Sequence, residues 1–136
     1  MAVVDPTVSL SSLLQDAGMT RIHITTLARS EASVMPRINT VIRWAGGFNI
    51  IAGRSYLPLA QRRLQVRCYG AVDSEARAQL QVAYEALKYF MPHVRQGVYL
   101  RSADPASEPI TGVEQDTDWP FALQMFSVIY DERAPS

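Results

Sequence analysis

The stretch Arg62–Met91, RRLQVRCYGAVDSEARAQLQVAYEALKYFM, decides the fold, because its apolar residues change period once and do so at a glycine. Leu64, Val66 and Cys68 alternate with Arg63, Gln65, Arg67 and Tyr69, the period of two that gives a strand one apolar and one polar face. Gly70 ends that pattern. Beyond it Ala76, Leu80, Ala83, Tyr84, Leu87 and Met91 recur in steps of three and four, which puts them on one stripe of a helix. Asp73 or Ser74 can accept from the free N–H groups of the first turn, and Glu75 suits the positive end of the helix dipole. Pro92 cannot donate to a continuing helix, so the helix is predicted to stop near Tyr89 to Met91. Such a stripe requires a sheet to lie on.

Toward the N-terminus, Ile38, Thr40, Ile42 and Trp44 alternate with Arg37, Asn39, Val41 and Arg43, a second strand, and Ala45-Gly46-Gly47 reads as the turn that ends it. Phe48 to Leu59, with Gly53 and Pro58, mixes apolar residues without a clean period and is expected to be an irregular or partly extended loop. Ala28 to Pro36 is a polar connector, and Arg21 to Leu27 (RIHITTL) alternates as a strand with Ile22 and Ile24 inward and Arg21, His23 and Thr25 outward. Asp5-Pro6 opens a helix over roughly residues 6 to 17, carried by Leu10, Leu13, Leu14 and Ala17 and ended by Gly18.

Toward the C-terminus, Val98 to Ser102 is a strand. Ala103 to Pro120 combines Pro105, Pro109, Gly112 and Pro120 with Asp104, Glu108, Glu114, Asp116 and Asp118 and holds no Lys or Arg, so a long acidic loop is expected, functional or disordered. Phe121 to Tyr130 is a last strand, apolar on both faces: Phe121, Leu123, Met125 and Ile129 on one, Ala122, Phe126, Val128 and Tyr130 on the other. The element order implies one α+β domain, a single mostly antiparallel sheet of about five strands with two helices packed on one face.

The chain has 136 residues, 48% of them apolar, with 13 basic and 13 acidic side chains. That size supports a single core, and the balanced charge argues against a free-standing binder of nucleic acid that works by neutralising phosphates. The balance hides an asymmetry: eight basic and three acidic residues lie in Met1–Val72, five and ten in Asp73–Ser136. Cys68 is the only cysteine and falls on an apolar strand face, which excludes an intramolecular disulfide and a cysteine-based metal site. With no leader-like start and no apolar run of about 18 residues, the chain is expected to stay in the compartment where it is made.

His23 and His93 have no partner at metal-ligand spacing, and HxxxH, CxxC, phosphate-loop and GxSxG patterns are absent. Both histidines therefore read as structural, and no catalytic, metal or cofactor residue is expected. One pattern remains. The outward strand positions Arg37, Arg43, Arg63 and Arg67 make an arginine-rich sheet face, in a chain whose sole lysine is Lys88. This face reads either as an ordinary solvated strand face or, because guanidinium groups pair bidentately with carboxylates, as one that meets Asp104, Glu108, Glu114, Asp116 and Asp118 of a neighbouring copy, a heterologous contact that can close into a ring. A second stripe of Val82, Ala86 and Tyr89, opposite the main one on the long helix, is expected to pack against a neighbour as well.

The short Asp-Pro helix, the polar connector before an arginine-rich strand, LQVRCYG leading into an acidic-capped helix and the closing WPFALQMFSVIYDE together resemble the tail terminator (tail completion) proteins of long-tailed bacteriophages. Arg63 to Phe90 carries most of the resemblance, whose element order covers nearly the whole chain. The resemblance implies a small α+β protein without enzymatic activity or cofactor, monomeric or weakly associated when made, that forms a hexameric ring on the finished tail tube. Its implied partners are its own copies, the tail tube protein and the head-neck connector protein, with genomic DNA passing through the lumen without specific binding and no membrane. The implied location is the tail-neck of a virion assembled in the host cytoplasm. The family has no short motif that assigns roles to residues here, so the interface residues above rest on patterning. The competing readings are another small neck or tail component, such as a head-completion or tube protein, and a nucleic-acid-binding module that uses the arginine face.

Overall fold

The computed structural model describes residues 6–24, 37–50, 59–114 and 118–131. Among them the chain forms, in order, helix α1 (Thr7–Asp16), strands β1 (Ile22–Ile24), β2 (Asn39–Ile50) and β3 (Leu59–Tyr69), helix α2 (Asp73–Tyr89), and strands β4 (His93–Arg95), β5 (Val98–Pro105), β6 (Ile110–Val113) and β7 (Pro120–Asp131). The fold is α+β, but the described residues build one sheet of seven strands rather than about five, in the order β1-β2-β3-β7-β5-β4 with β6 also beside β7. β1 runs parallel to β2, and the remaining pairings are antiparallel.

β7 is the axis of this sheet. One edge pairs with β3 along its whole length, from Leu59↔Asp131 to Tyr69↔Phe121. The other edge is shared, β5 taking the C-terminal half and β6 the N-terminal half. Cross-strand partners point to the same side of a sheet, so the register sorts the two faces. Thr40–Cys68–Ala122, Ile42–Val66–Gln124 and Trp44–Leu64–Phe126 share one face. Leu10, Leu13 and Leu14 of α1 and Ala76, Leu80, Ala83 and Leu87 of α2 pack on that face to form the main core. Each fully buried Leu or Phe contributes about 1.5–3 kcal/mol.

The α2 limits agree with the sequence expectation, but the cap differs. Neither Asp73 nor Ser74 caps the helix; Val72 is its extended N-cap residue, and the Glu75 carboxylate accepts the Ala71 N–H at 2.8 Å. Asp73 already lies in the first turn and pairs with Arg77 at 2.9 Å. α1 likewise starts after Pro6 without a side-chain cap, and Asp5 lies outside the described residues.

Three further expectations are corrected. Ala45-Gly46-Gly47 is not a turn: β2 continues to Ile50, and the register passes from Trp44↔Leu64 to Phe48↔Arg62, so these three residues bulge opposite Arg63. Two glycines make such a bulge sterically cheap. A short strand, β4, stands between α2 and β5, joined to β5 by a two-residue turn in which Gln96 and Gly97 have φ of 51° and 76°, the hand that matches the twist of the flanking strands. The stretch 103–120 is not one long loop. Ala103–Pro105 ends β5, residues 106–109 make a jog, and β6 resumes the pairing with β7. The connector Ala28–Pro36 and the loop residues 51–58 lie outside the described residues.

Candidate functional site

The face of the sheet opposite the helices gathers Arg43, Arg63, Arg67 and Asp104 of the residues singled out in the sequence. Three cross-strand lines run over it: His23–Val41–Arg67–Leu123–Ile110, Arg43–Gln65–Met125 and Arg63–Ser127–Asp104. Arg43, Arg63 and Arg67 therefore share one face, beside the β7 apolar row of Phe121, Leu123, Met125 and Ile129. Arg37 does not join them; it precedes β2, is exposed, and its carbonyl accepts from Asn39 at 3.3 Å.

The arginines differ in what they touch. The Arg67 guanidinium donates to Glu114 Oε2 at 2.6 Å and lies 4.5 Å from the Phe121 ring centroid. Arg43 Nε donates to Gln65 Oε1 at 2.9 Å. Arg63 is exposed and has no side-chain partner among the described residues, and the same holds for Asp104, two strands away on the same line. Glu114 thus meets an arginine of its own chain, because β6 lies beside β7 and β7 beside β3. Glu108 and Asp118 are exposed, and Asp116 lies outside the described residues.

The described residues on either side of the acidic connection between β6 and β7 are tied to each other. Glu114 N–H donates to the Trp119 carbonyl at 2.9 Å, and Asp118 N–H to the Glu114 carbonyl at 2.8 Å. Trp119 is 2% exposed and meets Tyr69 edge-on at 5.7 Å, with Val41 and Phe121 completing a second, smaller core on this face. Burial, with a smaller contribution from Glu114, raises the Tyr69 phenol above its ordinary pKa, while Arg67 opposes the shift.

On α2, Val82 and Ala86 are half-buried against the main core, so they widen the core stripe rather than form a separate one. Tyr89 remains 65% exposed, and Met91, just past the helix, is 78% exposed. Beside the middle of α2, between the helix and the jog, lies a cavity of ≈ 420 Å³, walled by Leu80, Tyr84, Pro105, Glu108, Thr111 and Gln124. Sequence reading missed both β6 and this cavity. The available signal was the strand-favouring Ile110, Thr111 and Val113 and the two prolines, Pro105 and Pro109, that bracket the interruption.

His23 Nε2 pairs with Asn39 Oδ1 at 2.9 Å, and His93 Nδ1 with the Met91 carbonyl at 2.7 Å. Burial pushes the Cys68 thiol up to about 12, and a hydrogen bond from the Thr40 hydroxyl acts weakly the other way. Among the described residues no group of three His, Cys, Asp or Glu side chains is placed to hold a metal ion, and no helix is long and apolar enough to cross a membrane.

No protein-family model and no curated protein matches the chain. Its fold is similar to that of a chain in a solved structure, "Virion of native gene transfer agent (GTA) particle", with a TM-score of 0.63 and 10% sequence identity over 91% of this chain and 92% of that one. At that identity the likeness is one of fold.

Proposed function

We propose that the protein is a structural component of a phage-like virion and, more narrowly, its tail terminator: a ring, hexameric by the family resemblance, that caps the tail tube, ends its polymerisation and joins it to the head-neck connector protein. The observation that carries this reading is the fold likeness to a chain of a gene transfer agent virion, which spans nearly all of both chains. The helix-free face supports it, because an apolar row on β7 bordered by Arg43 and Arg63 suits burial against another protein. Arg43, Arg63, Asp104, Glu108, Asp118 and Tyr89 would make ring or tube contacts, whereas Arg67, Glu114, Val82 and Ala86 mainly brace the subunit itself. The role is structural rather than enzymatic, without a cofactor, and DNA would pass through the lumen without specific binding. The paired state of Arg67 and Arg43 supports a protein-facing rather than a phosphate-holding surface.

The test is light scattering of the purified protein across concentration and salt, with and without polymerising tail tube protein, followed by electron microscopy of the tubes. A shift from monomer to hexamer, with shorter capped tubes, is expected. A strict monomer indifferent to tubes, or strong salt-dependent DNA binding, would overturn the reading. The likeness to a virion chain equally supports a different small neck or tail component; filaments formed by the protein alone would favour a tube protein.

A further inference from the structure

We infer that the cavity between α2 and the β5–β6 jog is a socket for a second copy of this chain, and that it takes Met91 with Tyr89 beside it. The inference rests on the self-association proposed above and names the contact that carries it.

The socket is preformed. Leu80, 4% exposed, lies in its wall, and Gln124, 3% exposed, is held by donation from Nε2 to the Ser107 carbonyl at 2.8 Å. Its ≈ 420 Å³ holds a thioether chain and part of an aromatic ring. The plug is equally fixed. His93 Nδ1–H donates to the Met91 carbonyl at 2.7 Å, and His93 Nε2 accepts from Arg95 at 2.9 Å. Arg95 in turn grips Ser12 at 3.1 Å and Asp16 at 2.5 Å on α1. Met91 and Tyr89 are the most exposed large apolar side chains among the described residues. Presenting them on a braced segment lowers the entropy lost on docking, and a methionine adapts to an irregular wall.

Charge fits the same pairing. Lys88 precedes the plug, and Glu108, exposed and without a side-chain partner among the described residues, stands at the socket. The fold itself is not self-inserted: the socket is built on Arg77 to Tyr84, in the middle of α2, the plug follows the end of that helix, and Met91 stays 78% exposed in its own chain. Plug and socket therefore join different copies head to tail, the kind of contact that closes into a ring.

Cysteine pairs test this, because native Cys68 is buried and does not compete. Under mild oxidation Met91→Cys and Thr111→Cys should each stay uncross-linked alone, give covalent dimers when mixed, and give a ladder of higher multimers when combined in one chain. Met91→Asp should weaken association at least tenfold with an unchanged melting temperature. No cross-link in the mixture, wild-type association by Met91→Asp, or cross-linking of Met91→Cys with itself would overturn the socket. Capped tubes without cross-links would retain the terminator and reject this contact; a ladder without any effect on tubes would retain the contact and reject the terminator.

Discussion

Arg67 and Glu114 meet at 2.6 Å across the width of β7, tying β3 to the residue that follows β6 within one chain. Their side chains are 23% and 30% exposed, so the pair is partly shielded from water and salt. Glu114→Gln is expected to cost about 1 kcal/mol, a few degrees of melting temperature, and the difference should shrink in 1 M salt. In the same variant Tyr69 should ionise at lower pH, measured by ultraviolet absorbance, because one of the groups that raise its pKa is gone. Identical melting at low salt would mean that the pair contributes nothing.

Trp119 closes the small core over Tyr69 and Val41. Trp119→Ala should destabilise by about 3–5 kcal/mol in denaturant unfolding, with Trp119→Phe recovering much of the loss. A cost below about 1 kcal/mol would show that the second core is ornamental to stability.

Two glycines should fail for different reasons. At Gly97, φ is +76° and an added methyl would meet nothing within 4 Å, so Gly97→Ala carries backbone strain alone, about 1 kcal/mol. At Gly70 a methyl would lie 2.6 Å from Glu75 Cβ and 2.8 Å from the Ala76 nitrogen, displacing the first turn of α2. Gly70→Ala should therefore be the more damaging by a clear margin in thermal melts; equal costs would contradict this account.

Cys68 should resist thiol reagents at pH 8 in the native protein and react on unfolding, since burial holds its pKa at about 12. The folded state keeps its proton where the unfolded chain, with a pKa near the ordinary 9.0, loses it. The contribution is complete below about pH 9 and is lost as pH rises from there toward 12, with a limiting slope of about 1.4 kcal/mol per pH unit. Cys68→Ala should flatten that part of the stability-pH curve, measured against wild type.

The local periods were legible. Leu64, Val66 and Cys68 faced the helices, Arg43, Arg63 and Arg67 the opposite side, and alternation alone sorted the apolar residues of β7 into two opposite rows, though not which row the helices cover. What could not be read was pairing over distance. Gly46-Gly47 has the chemistry of a turn, and only the partner strand reveals a bulge. The 103–120 stretch is rich in Pro and acid, yet its backbone is claimed by β7, whose length lets it pair with two short strands in succession. Val82 and Ala86 lie at the margin of the α2 stripe, where the breadth of the sheet decides what is covered. The socket arises from the jog between two such strands and has no local signature.

β7 also has a consequence in time. It is synthesised after every strand it joins, so until residues 120–131 emerge from the ribosome β3 and β5 each lack a neighbour on one edge and β6 has no strand to pair with. The nascent chain holds two unfinished half-sheets, each with an edge open to wrong partners. Completion comes late, by a segment apolar on both sides, and its pairings with β3 span from 52 residues of sequence (Tyr69↔Phe121) to 72 (Leu59↔Asp131). Such distant closure slows folding. Newly made copies are therefore most vulnerable to aggregation just before this strand docks, and substitutions within Phe121–Ile129 should lower the yield of soluble protein more than their equilibrium cost suggests.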